Sequence, residues 1–320
     1  MLTASEVVSA RDRIGDHVRS TPVAEFDAAK FPSAGKVWMK LEFLQHTGSF
    51  KARGAFNRIL KAKEDGELSN LGVVAASGGN FGVAVAYAAA ANGVPALIYV
   101  PETSPGVKVE RLRRLGADVV QFGSRYADAL EAARKAAESG ALFCHAYDQE
   151  EVCAGAGTLG LELIEQTGGA LDTVLVSVGG GGLIAGVAAA LEGQARVVGV
   201  EPSSIPTLNA ALAAMEPVDV EVSGITADSL GASRLGDIAF DVAVRTGVIS
   251  LLVEDRDVVA ARNLLWDEYR IIVEHGTAVA FAALLTGIYQ IEDDERVAVV
   301  LCGANTALND LSLNESGMTY

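Results

Sequence analysis

The stretch VLVSVGGGGLIAG, residues 174–186, shows the local pattern from which the fold of the whole chain is predicted. An apolar run, Val174–Val178, leads into four consecutive glycines and then into a helix-like segment. Short apolar runs between turn residues favour buried strands, and glycine supplies the tight turn that joins a strand to a helix. The pattern therefore predicts a strand–turn–helix unit, and not a membrane-spanning helix, which four glycines would interrupt.

The same unit recurs along most of the 320 residues. The predicted strands are Val37–Leu41, Val73–Ala76, Ala96–Val100, Val119–Phe122, Ala141–His145, Val174–Val178, Val197–Val200, Ile249–Val253 and Val297–Leu301. Helix patterns between them include Val83–Asn92, Tyr126–Ser139, Thr158–Gln166 and Asp257–Tyr269. This alternation is typical of α/β proteins with mostly parallel sheets flanked by helices. We expect two lobes, a small domain of residues 72–147 and a large domain of residues 1–71 and 148–320.

The composition and the N-terminal sequence limit the partners and the cellular compartment that we expect for this protein. The formal net charge is -16, which disfavours nucleic acid or an anionic membrane as a partner, because both attract Lys and Arg. The three cysteines, Cys144, Cys153 and Cys302, contain no CxxC pair and fit a reducing compartment. The N-terminus shows no signal-peptide pattern, and Thr3 and Glu6 predict a helix capping box there. We therefore expect a cytoplasmic protein without a metal cluster.

Three glycine-containing turns follow predicted strands, and ligands bind at the carboxyl ends of strands in open parallel sheets. The first turn, Ser77–Gly78–Gly79–Asn80, opens a helix and offers backbone N–H groups to a carboxylate or phosphate. The second, Gly179 to Gly182, allows the backbone to wrap closely around an anion. The third places Cys302 at the end of the last strand, as a cleft residue or as a small buried one.

The second turn has a competing interpretation. Gly180, Gly182 and Ala185 satisfy the G-x-G-x-x-A pattern, and Glu201 closes the next strand about twenty residues later. That is the fingerprint of a dinucleotide site, in which the acid binds the ribose, so an NAD-dependent oxidoreductase is an alternative. The length of the glycine run and its position in the middle of the chain favour a lone phosphate.

The quoted turns, together with a lysine, resemble a known family. The matching segments are TGSFKARGA (47–55), SGGN (77–80), HAYDQEEVCAGAGT (145–158), SVGGGG (177–182), VGVEP (198–202) and LCGAN (301–305). In this order they are similar to the fold-type II pyridoxal phosphate enzymes, whose fold is that of the tryptophan synthase beta chain. The nearest members are the serine/threonine dehydratases and the serine racemases.

The resemblance implies a role for each motif. Lys51 would form the Schiff base with the cofactor aldehyde, and burial would help this lysine to lose its proton. Phe50 would pack near the cofactor ring, Asn80 would bind the ring hydroxyl, and Cys302 would face the pyridine nitrogen. The run Gly179, Gly180, Gly181 and Gly182 would hold the cofactor phosphate. Ser77, Gly78 and Gly79, with Asn80, would bind the substrate carboxylate.

The implied reaction is α,β-elimination. Lys51 would remove the Cα proton of L-serine, L-threonine or a related 3-hydroxy amino acid, which would yield a 2-oxo acid and ammonia. A racemase is the alternative, but it needs an acid on the opposite face, where Gly78 has none. Glu201 matches one member of a cation site that is otherwise incomplete, so we predict no metal. We expect a homodimer, and a side-chain pocket near Phe81 and Ala156.

Overall fold

The computed structural model describes residues 1–27, 30, 31, 33 and 35–307. In this part of the chain the strands are β1 Val23–Glu25, β2 Lys36–Lys40, β3 Val73–Ala76, β4 Ala96–Val100, β5 Asp118–Gln121, β6 Leu142–Cys144, β7 Thr173–Ser177, β8 Arg196–Pro202, β9 Ile249–Val253 and β10 Arg296–Val300. The helices are α1 Ala4–Ile14, α2 Lys51–Glu64, α3 Asn80–Ala91, α4 Gly106–Arg114, α5 Tyr126–Ala137, α6 Glu150–Gln166, α7 Gly182–Ala190, α8 Thr207–Ala214, α9 Ala227–Leu230, α10 Asp237–Thr246, α11 Asp255–Tyr269 and α12 His275–Leu285.

The strands form two sheets, which confirms the predicted α/β class. A six-stranded sheet has the order β1-β2-β10-β7-β8-β9, and a four-stranded sheet has the order β5-β4-β3-β6. Only the pairing of β1 with β2 is antiparallel among the described strands. The four-stranded sheet is built entirely from residues 73–144. The exact domain limits at 71/72 and 147/148 stay a prediction.

Both sheets reverse their strand order at one point, and each reversal brings two loops together. In the large sheet β7 lies between β10 and β8, so the loops after β7 and β10 leave the same edge side by side. In the small sheet β3 lies between β6 and β4, which does the same for the loops after β3 and β6. Such switch points are where open parallel sheets bind ligands. The three predicted turns occupy three of these four loops.

Helix α6 connects the parts of the molecule that carry the motifs. A Cβ atom on Gly155 would lie 2.5 Å from Arg53 O on α2, and one on Gly186 would lie 2.1 Å from Cys153 O on α6. Glycine therefore lets α6 touch both α2 and α7, backbone against backbone, because no side chain would fit at these contacts. The segment CAGAGT, residues 153–158, is thus the spacer that fixes α2 relative to α7.

Most sequence expectations hold, and two elements differ. All nine predicted strands exist, with ends that shift by up to two residues, and Thr3 and Glu6 form the predicted capping box on α1. Strand β1 was not predicted, because a three-residue edge strand carries little periodic signal. Helix α6 begins at Glu150 and not at the predicted Thr158. Glycine lowers helix propensity, but the close contacts that the α6 glycines allow stabilise the helix in the folded protein.

Candidate active site

The segment before Lys51 is held against the end of β10. Ser49 forms an isolated antiparallel bridge with Gly303, and Phe50 N donates a hydrogen bond to Cys302 O over 3.0 Å. Lys51 then begins α2, which is packed against α6. These backbone contacts place the lysine next to Cys302, although 251 residues separate them in sequence. The fold therefore brings the first and last motifs together.

The surroundings of the Lys51 amine are apolar. Its Nζ donates a 2.8 Å hydrogen bond to Ala146 O, and it lies 4.9 Å from the centre of the Phe50 ring and 5.7 Å from that of Phe81. Burial lowers the pKa of Lys51 to about 8, while Glu274, with which it forms no ion pair, acts in the opposite direction. A lysine in this setting exists partly as the neutral amine near neutral pH, and only the neutral amine is a nucleophile or base.

The turn after β3 forms one wall of the cavity. Ser77 Oγ accepts a hydrogen bond from Gly79 N over 3.2 Å, and Asn80 begins α3. The first N–H groups of a helix have no partner within it, and the helix dipole adds positive potential there. This wall can therefore receive an anion such as a carboxylate. Gly78 has room beside it, because the nearest atom to an added Cβ would be Val100 Cγ1 at 3.5 Å.

The glycine run after β7 is closely packed at two of its positions. A Cβ on Gly180 would lie 2.4 Å from the Tyr147 ring, and one on Gly181, where φ is 91°, would lie 2.4 Å from Ala239 Cβ. Glycine is thus the only residue that fits these two positions. The exposed backbone leads into α7 at Gly182, so main-chain N–H groups and a helix N-terminus meet at one place. This arrangement suits a phosphate.

Cys302 is a buried thiol at the end of β10. Burial raises its pKa to about 12, so it stays protonated at neutral pH. Its Sγ lies 3.2 Å from Thr277 Oγ1, and that hydroxyl also lies 2.8 Å from Gly303 O. A neutral thiol can donate a hydrogen bond to a ring nitrogen, but it does not supply the negative charge that would stabilise a protonated ring.

Asn80 and Glu274 form a pair at the same cavity. Asn80 Nδ2 lies 2.9 Å from Glu274 Oε1 and 3.0 Å from Oε2. Glu274 is 7% exposed, and burial raises its pKa. The carboxylate lines the cavity, and its oxygens are satisfied by hydrogen bonds although it is buried.

One cavity of about 480 Å³ is lined by all the residues that are predicted to bind the cofactor or the substrate carboxylate: Phe50, Lys51, Ser77, Gly78, Gly79, Asn80, Gly179, Gly180, Gly181, Gly182 and Cys302. Their individual roles stay predictions. Phe81 also lines the cavity, whereas Ala156 does not and is buried in α6. Sequence reasoning missed Tyr126 and Tyr147, which line the cavity from the small-sheet side. A tyrosine in the loop after β6, at the second switch point, is the signal that could have indicated Tyr147.

Glu201 lies elsewhere and has a structural task. It is fully buried in β8 and accepts hydrogen bonds from Leu208 N over 2.7 Å and Asn209 N over 2.9 Å. Burial raises its pKa to about 7. The carboxylate therefore caps α8, and Glu201 is not among the cavity-lining residues, so the ribose contact expected of a dinucleotide site is missing.

Residues 14–303 match the family described as pyridoxal-phosphate dependent enzyme. The chain belongs to this family. It is 34% identical over 313 residues to an L-threonine ammonia-lyase of Thermotoga maritima, with 97% of this chain and 77% of that protein covered. It is 38% identical over 309 residues to a phenylserine dehydratase of Ralstonia pickettii, with 94% and 93% covered. The structure of maize serine racemase superposes with a TM-score of 0.89 at 30% identity, with 97% and 95% covered.

The family decides between the two cofactors that the glycine run left open. The cofactor is pyridoxal phosphate, and the NAD alternative is not supported. The residues present fit this group, because the cavity combines a buried amine for its aldehyde, a backbone cradle for its phosphate and a neutral donor at Cys302. Within the described ranges, none of the helices combines the length and the hydrophobicity that a bilayer span requires.

Among the residues that the structure describes, no group of three or more His, Cys, Asp or Glu side chains could hold a metal ion. The homodimer and the cytoplasmic location stay predictions.

Proposed function

We propose that this protein is an ammonia-lyase that converts a 3-hydroxy amino acid, such as L-threonine or L-serine, into a 2-oxo acid and ammonia. The observation that carries the proposal is the Lys51 amine, which lies in the cavity with a pKa of about 8 and no carboxylate partner among the described residues. An amine of this kind can attach the cofactor and can act as a base near neutral pH.

The residues of the chain would divide the work as follows. The backbone of the glycine run, Gly179 to Gly182, would hold the phosphate, and Ser77, Gly79 and the start of α3 would hold the substrate carboxylate. With the carboxylate fixed, the Cα–H bond can be turned toward Lys51 Nζ, which would take the proton. Pyridoxal phosphate, when bound, withdraws electrons from the Cα atom of the amino acid that it holds. Phe50 and Phe81 keep water away from the amine.

Cys302 favours elimination over reactions that need a long-lived carbanion. Its thiol is uncharged, since burial raises its pKa to about 12, so Cys302 facing the ring nitrogen of the cofactor would leave that nitrogen without a counter-charge. A weaker electron sink suits rapid loss of a β-hydroxyl from the substrate. The leaving hydroxyl needs a proton, and Gly179 to Gly182 would hold the cofactor phosphate, a group that could supply acid chemistry there.

The second candidate is an amino acid racemase, which the superposition on maize serine racemase favours. Racemisation needs an acid and a base on opposite faces of Cα. Gly78 occupies the position where we expect such an acid, and it has no side chain. This absence supports the lyase over the racemase.

The test is to incubate the holoenzyme with L-serine, L-threonine and L-threo-phenylserine and to measure 2-oxo acid, ammonia and D-amino acid. The third substrate is included because of the phenylserine dehydratase relative and the aromatic residues Phe81, Tyr126 and Tyr147 on the cavity wall. We expect oxo acid and ammonia in equal amounts. D-amino acid without oxo acid from all three substrates would contradict the lyase.

A Gly78→Ser variant separates the two candidates further. The added Cβ meets only ordinary contacts, because its nearest atoms would be Val100 Cγ1 at 3.5 Å and Ser104 Oγ at 3.7 Å. If the missing acid is what prevents racemisation, the variant should form D-serine from L-serine while the wild type does not. Equal D-serine formation by both proteins would overturn this explanation.

A further inference from the structure

A chain of hydrogen bonds runs from the surface of α4 to the cavity. Arg111 Nη2 donates to Asn305 Oδ1 over 2.8 Å, and Asn305 Nδ2 donates to Asn80 Oδ1 over 2.6 Å. Asn80 Nδ2 in turn donates to Glu274. The chain thus has a guanidinium at one end and a carboxylate at the other, with two amides between them. We call these four residues, Arg111, Asn305, Asn80 and Glu274, the amide relay.

The charged ends fix the orientation of both amides. A guanidinium can only donate hydrogen bonds, so it requires the oxygen of Asn305 to face it. An ionised carboxylate can only accept, so it requires the NH₂ group of Asn80. If either amide were reversed, like groups would face each other at both of its ends. The relay therefore has one favourable arrangement, which Glu274 fixes from the cavity and Arg111 from outside it.

The relay also holds the segment that precedes Lys51. Thr47 has a φ of 64°, which is strained for a β-branched residue. Its carbonyl accepts hydrogen bonds from Asn305 Nδ2 over 2.8 Å and from Arg111 Nη2 over 3.1 Å. The next residue, Gly48, lies so close that an added Cβ would be 2.8 Å from Asn305 Oδ1. Asn305 and Arg111 together thus stabilise the turn that leads to Lys51.

The geometry points to Arg111 as a positioning residue that, through Asn305, fixes the Asn80 amide and the Thr47 turn around the cofactor. This inference rests on the proposed function only in assuming that Asn80 faces the ring hydroxyl of pyridoxal phosphate. Arg111 does not line the cavity and is exposed on α4, a helix of the small-sheet region. It therefore acts on the reaction only through Asn305 and Thr47.

The experiment compares Arg111→Gln with Arg113→Gln. Arg113 is exposed on the same helix, so both variants lose one positive charge at a similar place and both should fold. The readouts on the holoenzyme are the position and pH dependence of the visible absorption band and the rate at which dialysis removes the cofactor. We expect R111Q to shift the band and to lose cofactor about three- to ten-fold faster, while R113Q matches the wild type.

Two further variants sharpen the result. Asn305→Asp keeps the shape and the oxygen that faces Arg111 but replaces the donor to Asn80 and Thr47 with an acceptor, so it should shift the band at least as far as R111Q. Arg111→Lys, which keeps a charged donor, should recover part of the wild-type behaviour.

R111Q and R113Q with the same band and the same cofactor loss would overturn the relay while leaving the lyase proposal intact. A wild-type protein with a normal band but no oxo-acid product would instead overturn the lyase and leave the relay in place. A wild-type protein that binds no pyridoxal phosphate would overturn both.

Discussion

Two lysines of this molecule, the buried Lys40 and the half-buried Lys51, are only eleven positions apart and have opposite surroundings. Lys40 is fully buried on β2, where its Nζ lies 2.7 Å from Glu162 Oε2, 2.7 Å from Thr21 O and 2.9 Å from Gln166 Oε1. The Lys51 amine, by contrast, lies next to one backbone carbonyl and two phenyl rings. Burial lowers the pKa of both, but Glu162 opposes the shift at Lys40.

The difference lies in what accompanies burial. Lys40 belongs to a buried network in which Arg53 contacts Glu42 and bridges to Glu162 with Nη1–Oε1 at 2.6 Å and Nη2–Oε2 at 2.9 Å. Two cations and two carboxylates balance there, so Lys40 stays charged and stabilises the fold. Lys51 has no such partner in the described structure, so its ammonium form is the unfavourable one. Burial without a counter-charge is what makes a lysine reactive.

The largest effect is expected from Lys51→Ala. Without the amine, the chain can neither attach the cofactor nor remove the Cα proton, so turnover of the best amino acid substrate should fall by at least about a thousand-fold. Lys108→Ala is the matched control, because Lys108 also lines the cavity but is paired with Asp228. Its turnover should stay within about ten-fold of the wild type. The comparison fails if the two variants lose activity equally.

The second largest effect is expected on the stability of the fold. Lys40→Met should leave the Glu42–Arg53–Glu162 network with an unbalanced buried negative charge, and the free energy of unfolding should fall by about 3–5 kcal/mol. Denaturant titration measures it. Lys36→Met on the same strand is the control, because Lys36 is half-exposed and its pairing with Glu25 contributes at most about 1 kcal/mol. Equal losses in the two variants would show that the buried network is not what distinguishes Lys40.

Lys51→Met should raise the free energy of unfolding, whereas Lys40→Met lowers it. The unfolded chain holds the Lys51 proton up to pH about 10.4, whereas the folded protein releases it near pH 8. Below pH 8 both states are protonated and the folded cofactor-free protein carries the full cost of a buried ammonium, so K51M should be more stable by on the order of 1–3 kcal/mol at pH 7. As the pH rises from 8 to 10.4 the wild type should approach K51M in stability. A constant gap across that window would contradict the assigned pKa.

The smallest effect is a difference in chemical reactivity. With cofactor removed, competitive acetylation read out by peptide mass spectrometry should modify Lys51 with a midpoint near pH 8, since burial lowers its pKa to about 8. A lysine in an unfolded peptide has its midpoint near pH 10.4. A Lys51 midpoint at that higher value would mean that the cavity does not desolvate the amine.

Local patterns predicted the parts of this molecule that depend on neighbouring residues. The nine strands and the turns Ser77–Asn80 and Gly179–Gly182 follow from apolar periodicity and from glycine at strand ends. The resemblance of the ordered motifs to the fold-type II pyridoxal phosphate enzymes implied that they form one site, and the cavity contains the residues predicted for cofactor and carboxylate but not Ala156.

Interactions between distant residues could not be predicted in this way. The Lys40–Glu162 contact joins residues 122 positions apart, and the Asn80–Asn305 contact joins residues 225 apart. A sequence shows neither burial nor pairing of such side chains. The start of α6 was predicted eight residues too late, at a point after two glycines of low helix propensity. The close contacts of these glycines with α2 and α7, which a sequence does not show, outweigh that low propensity.

The most direct test of the reactive lysine is to reduce the holoenzyme with borohydride and to map the modified peptides by mass spectrometry. We predict a phosphopyridoxyl group on Lys51 and none on Lys40. The account would be contradicted by a stable cofactor adduct on Lys108 or any other lysine, or by a coloured holoenzyme in which borohydride attaches the cofactor to no lysine at all.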